Sequence, residues 1–133
     1  MTDRQRAFIS ALVSVVKTKR FSKYHRLGVK RLPEESVMYE FRGTWLPESI
    51  SIYDDKNNSI YDDQFLTNPW GVKFAWQGSK RTERLKVLMP EGFGFYGEDG
   101  DFFSFTGNFL SPDKVEIRDN SQDKDKYVYR ITY

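Results

Sequence analysis

Polar residues recur every three or four positions near the start of the chain and every second position after it. Asp3, Arg6, Ser10, Ser14 and Lys17 fall on one narrow helical stripe, and Phe8, Ile9, Leu12, Val13, Val15 and Val16 cover the rest of the surface. The pattern predicts a helix over residues 3–25 with a wide apolar face. A face that wide must be covered, by a β-sheet or barrel mouth, at a dimer interface or on a membrane surface. The basic run KTKRFSKYHR that follows suits a helix C-terminus, where the macrodipole favours cations.

From Ser36 the period changes to two. Val37, Tyr39 and Phe41 alternate with Met38, Glu40 and Arg42, and Ile50 and Ile52 continue the series. Val72, Phe74 and Trp76 follow, then Leu85, Val87 and Met89, then Phe93 and Phe95, then Phe103 and Phe105. Val115 and Ile117, and finally Tyr127, Tyr129, Ile131 and Tyr133, complete it. Short alternating runs punctuated by Gly, Pro, Asn and Asp predict an antiparallel meander. No second helix of the length a βαβ crossover needs is present, which argues against a parallel sheet. The expected fold is mainly β, a meander closing into a barrel of eight to nine strands, with one N-terminal amphipathic helix. Closure removes the edge strands that a meander otherwise exposes. The pentapeptide SIYDD occurs at 51–55 and again at 59–63, separated by KNN, and reads as a hairpin or bulged loop. Its four aspartates lack the alternate spacing and central glycine of an EF-hand, so no metal is expected there.

Length and composition fit this picture. At 133 residues the chain is one domain, read as a basic helical arm (1–33) and a barrel (34–133), large enough for a core without disulfides or metal. Eleven Phe, eight Tyr and three Trp supply most of the apolar volume and favour strands. The absence of cysteine excludes disulfides, thiolate nucleophiles and Cys-ligated zinc, and a cytoplasmic location needs no further assumption. His25 is the sole histidine and sits in a basic segment without a nearby carboxylate, so it reads as a surface residue rather than a catalytic base. No catalytic residue, metal site or cofactor is predicted, and the balance leans away from an enzyme. The apolar run AFISALVSVV is ten residues, short of the roughly 20 that span a bilayer. KTKRF follows it in place of a cleavage site, so neither a membrane span nor a cleaved signal is expected.

Charge is divided unevenly. Residues 1–33 hold nine Lys/Arg and one acid, net +8, and the remainder holds twelve against eighteen, net −6. Lys17, Lys19, Arg20, Lys23, Arg26, Lys30 and Arg31 therefore form a candidate surface for an acidic protein, a nucleic acid, an anionic membrane or the chain's own body.

Two stretches resemble known families. Gly43-Thr44-Trp45 matches the G-x-W signature of calycins, the lipocalin-like barrels. In that family the tryptophan closes one barrel end beneath an arginine of the last strand, a part that would fall to Arg130 in YRITY. The resemblance implies a barrel holding a small apolar or aromatic ligand, lined by Trp45, Phe74, Trp76, Phe93, Phe95, Phe103 and Tyr129. The segment PEGFGFYGEDGDFFSF, Pro90–Phe105, carries six aromatics and four glycines. It resembles the aromatic strands of cold-shock domains of the OB class, which implies that Phe93, Phe95, Phe103 and Phe105 stack single-stranded bases. Three functional expectations remain open: a ligand-binding barrel with a basic docking arm, a single-strand-binding module, and an assembly or adaptor protein with a packed interior.

Overall fold

The computed structural model describes residues 3–35, 37–46, 49–54, 59–63, 71–75, 82–87, 92–97, 102–119 and 126–133. Side chains are described for 3–35, 37–46, 51–54, 107–118 and 126–133. A helix, α1 (Asp3–Thr18), precedes ten strands: β1 (Ser22–Leu32), β2 (Met38–Leu46), β3 (Ser49–Asp54), β4 (Ser59–Asp63), β5 (Gly71–Ala75), β6 (Thr82–Val87), β7 (Gly92–Gly97), β8 (Phe102–Ser111), β9 (Lys114–Asp119) and β10 (Lys126–Thr132). All pairings are antiparallel, in one sheet of order β4-β3-β2-β1-β10-β9-β8-β7-β6-β5.

The helix stops at Thr18 rather than near residue 25, and most of the expected basic arm is strand β1. The stop is local. Lys19 takes the left-handed conformation, φ 56°, and the Arg20 amide donates to the Val15 carbonyl at 3.1 Å. That is the 6→1 bond of a Schellman cap. Beyond it the period is two, with Leu27 and Val29 buried and Tyr24 and Arg26 exposed. The strand count rises from eight or nine to ten through β1 and through β4, the second copy of SIYDD, which pairs with the first across a bulged hairpin.

The sheet is strongly curved but not closed as a barrel. Its first and last strands meet, since β1 pairs with β10 from Gly28↔Thr132 to Leu32↔Val128. The order instead ends at β4 and β5, and no ladder joins them among the described residues. Their Cα atoms nonetheless come within 8 Å. These strands are five residues each, and β4 ends in Asp62-Asp63, a short charged edge that resists pairing.

The helix neither extends from the sheet nor lies on its outside. Every residue from Arg6 to Val15 is buried, so almost three turns are covered on all faces. It packs on β1, β2, β9 and β10, the middle of the sheet. A helix on a convex face would keep one side in water, so α1 occupies the concavity. Phe8 meets Phe41 edge-on at 5.6 Å and tilts against Trp45 at 6.1 Å. Burying Phe8, Ile9, Leu12 and Val13 contributes about 1.5–3 kcal/mol each.

The polar stripe of α1 is buried too, and β10 supplies its partners. Tyr127, Tyr129 and Tyr133 lie on the inner side of β10. The Arg6 guanidinium sits 4.0 Å from the Tyr127 ring centroid and its Nε donates to Tyr129 Oη at 3.2 Å. One turn on, the Ser10 hydroxyl returns to the Arg6 carbonyl. The Ser14 hydroxyl donates to the Pro112 carbonyl at 2.9 Å and is hydrogen-bonded to Tyr133 Oη. The helix therefore runs parallel to β10, with Arg6 and Ser14 matched to phenol oxygens in the interior. Among the described residues, no helix is long and apolar enough to cross a membrane.

Candidate functional site

Two polar assemblies stand out, one inside the curved sheet and one on its outer wall. The inner one surrounds the first turn of α1. Asp3 Oδ1 accepts from Tyr129 Oη at 2.6 Å and Arg31 Nη1 at 3.4 Å, and Oδ2 accepts from Tyr39 Oη at 2.7 Å. Arg6 Nη2 lies 3.5 Å from the same carboxylate, and Arg4 pairs with the buried Asp54 at 2.7 Å.

Burial pushes the Asp3 carboxyl up, but hydrogen bonds from Tyr129 and Tyr39 and the charges of Arg31 and Arg6 outweigh it. The group ends below its ordinary value. Burial and the bond to Asp3 push the Tyr39 phenol up to about 12 and Tyr129 higher still. Both phenols are neutral at physiological pH, and their hydroxyls are spent on Asp3. This cluster fastens the helix rather than offering a base or nucleophile.

The outer assembly is a cleft of about 580 Å³ on β1, β2 and β3, lined by Tyr24, His25, Arg26, Arg42, Gly43 and Tyr53. Strand register builds it. Arg26 lies directly opposite Arg42, and Arg42 opposite Tyr53. All three alternate with buried Leu27, Phe41 and Ile52 and so face outward. Tyr24 is 86% exposed and Tyr53 43%. Like charges directly opposed across a ladder weaken a sheet unless they are compensated. Glu40 lies 3.3 Å from Arg26 Nε, in an exposed ion pair of small energy.

The cleft is held from beneath. The His25 ring stacks on Tyr133 at 5.6 Å, Arg20 lies 4.3 Å from the Tyr133 centroid, and Trp45 Nε1 donates to the His25 carbonyl at 3.3 Å. Burial, then the nearby Arg20 charge, lowers the His25 pKa below its ordinary 6.5, so the ring is neutral at pH 7. Gly43 has φ 141°, and a Cβ there would fall 2.0 Å from the Ser51 carbonyl oxygen. Glycine alone permits this approach of β3 to β2.

A second row of cations lies farther along the same outer wall. Lys30 is opposite Arg130, and Arg130 opposite Lys114. Four residues of β1 separate this row from Arg26, about 13 Å. The intervening outward position on β1 is Gly28, where an added Cβ would meet nothing nearer than 3.8 Å. Basic residues thus recur across four adjacent strands, β2, β1, β10 and β9, with Glu40 and Glu35 paired to Arg26 and Arg130 among them.

The sequence-predicted residues divide between these places. Trp45 and Tyr129 are fully buried against the helix, Trp45 on Phe8 and Tyr129 on Asp3 and Arg6. Arg130 does not cover Trp45. Tyr129 and Ile131 face inward, so Arg130 faces outward and pairs with Glu35. Cations do cover aromatic faces, but elsewhere: Arg20 on Tyr133, Arg6 on Tyr127 and Arg4 on Tyr39. Of the basic residues, Lys19, Arg20, Lys23 and Arg26 are exposed, Lys17 and Lys30 are half-buried, and Arg31 turns inward to Asp3.

Phe74, Phe93, Phe95, Phe103 and Phe105 belong to β5, β7 and β8, with Phe95 opposite Phe103, but their side chains lie outside those described; Trp76 lies outside the described residues. The sequence reading missed Tyr24, Arg42 and Tyr53. The alternation Tyr24, Arg26 against Leu27, Val29 was the available signal for the first. Among the described residues no group of three His, Asp or Glu is placed to hold a metal ion.

Comparison with known proteins gives no match: no family model, no curated protein and no solved structure is similar to the chain.

Proposed function

We propose that the chain is a non-catalytic binding protein whose curved sheet is filled by its own helix and which recognises an anionic partner on the outer wall of β1–β3. One observation carries this reading: Arg26 and Arg42 lie side by side across the β1–β2 ladder on the solvent face, with Tyr24 and Tyr53 exposed at the same cleft. An anion seated there gains charge-assisted hydrogen bonds from two outward-facing guanidiniums. The filled interior supports it indirectly. Trp45 and Tyr129, which a calycin-like ligand would need, already pack against α1, which favours a solid scaffold over an apolar cavity.

The test is retention on heparin and binding to polyglutamate at low salt, with and without the double charge reversal Arg26→Glu, Arg42→Glu. The wild-type chain is expected to bind and to release as salt rises. The reversed variant, folded by circular dichroism, is expected to lose retention. Equal behaviour of the two proteins would remove the cleft from any role in binding.

A further inference from the structure

Resting on that reading, we infer that the anionic partner is a single-stranded nucleic acid, with a base held at Tyr24 and Tyr53 and its phosphates on the arginines and the basic band beyond them. The three polyanions such a surface could meet differ in what they leave unused. An acidic peptide satisfies Arg26 and Arg42 but gives the two exposed phenol rings no π partner. An anionic membrane presents headgroup phosphates to Arg26 and Arg42 but no planar ring to Tyr24 and Tyr53. A single strand offers alternating phosphates and unstacked bases, which is what guanidiniums flanked by exposed tyrosines accommodate.

The band also has length. From Arg42 and Arg26 it continues past Gly28 to Lys30, Arg130 and Lys114, about 13 Å farther along the sheet. A mononucleotide would fill only the cleft; a strand reaches the second row. Between the rows Gly28 carries no side chain, and Thr132 and Glu40 lie opposite it on the flanking strands.

The experiment is fluorescence anisotropy of a fluorescein-labelled 12-nucleotide single strand at 50 and 200 mM salt, with heparin, polyglutamate and phosphatidylserine vesicles as comparisons. Binding is expected to weaken steeply with salt. Tyr24→Ala, at a residue 86% exposed, should keep the fold and lower affinity for the strand about 5- to 150-fold, by more than it lowers heparin binding. Arg130→Gln should weaken the strand and reduce the magnitude of the salt slope by about one, while leaving the affinity for a mononucleotide unchanged. If heparin or polyglutamate binds and the strand does not, or if Tyr24→Ala leaves strand affinity unchanged, this inference fails and the anion-binding reading stands. Binding to vesicles alone also overturns it. No binding to any of the four at low salt overturns both.

Discussion

Tyr129, on the last strand, donates a 2.6 Å hydrogen bond to the Asp3 carboxylate in the first turn of α1, joining positions 126 residues apart. The same oxygen accepts from Arg6, so one phenol completes both a buried carboxylate and a buried guanidinium. Tyr129→Phe keeps the ring and removes the oxygen. The expected cost is about 1–3 kcal/mol, the penalty for stranding partners that remain buried. A urea titration should show a lower midpoint with little change in slope.

The same cluster sets the pH response at both extremes. Asp3 has a lowered folded pKa, so its contribution is complete above the unfolded value of about 4 and is lost as pH falls through the folded pKa. Asp3→Asn should therefore reduce stability near neutrality and flatten its decline below about pH 4. Tyr39, raised to about 12, works in the opposite sense. Its contribution is present below the unfolded value of about 10 and disappears as pH rises from there through 12. Absorbance of tyrosinate should show late titration that Tyr39→Phe diminishes.

Periodicity made much of this architecture legible, and it failed where local geometry or tertiary partners decided. Period two found most strands, and the repeated SIYDD, read as a hairpin or bulged loop, forms the paired strands β3 and β4. The stripe of Asp3, Arg6, Ser10 and Ser14 was visible as well, but a polar stripe implies water only when nothing polar waits in the core. Here Tyr127 and Tyr129 of β10, with Tyr133 just beyond its end, wait there, and no local pattern announces that pairing across more than a hundred residues. Strand β1 was hidden because the helix stop is encoded in the left-handed turn at Lys19, which a lysine does not advertise. The Arg26–Arg42–Tyr53 row depends on register between three strands, which a single chain of letters does not state. Trp45, expected to line a ligand site, packs on Phe8 instead, and the arginine expected to cover it, Arg130, faces outward.

That turn at Lys19 supplies a prediction of opposite sign. A non-glycine residue in the left-handed region costs about 1 kcal/mol, and Lys19 is exposed with its side chain available for replacement. Lys19→Gly should raise stability by several tenths to about 1 kcal/mol. Lys19→Val, β-branched at the same φ, should lower it by more. Thermal unfolding of the pair, compared with Lys19→Ala, separates the backbone effect from the loss of charge.

Two glycines on adjacent strands offer a matched test of how the cleft is made. At Gly43 a Cβ would lie 2.0 Å from the Ser51 carbonyl oxygen at φ 141°, so alanine must push β3 away from β2. Backbone strain and a displaced ladder together predict a loss of at least about 2–3 kcal/mol for Gly43→Ala, read as a fall in Tm of roughly 6–10 °C. Because β3 carries Tyr53, the displacement should also weaken whatever binds at Arg26 and Arg42. At Gly28 the nearest atom to a new Cβ is Thr132 Cβ at 3.8 Å, an ordinary contact. Gly28→Ala should leave Tm unchanged or slightly raised, since glycine in a strand costs conformational entropy. Equal effects at the two positions would mean that the β2–β3 approach is not the constraint at Gly43. A large loss at Gly43 alone ties the glycine of the G-x-W motif to the spacing of the strands that build the cleft.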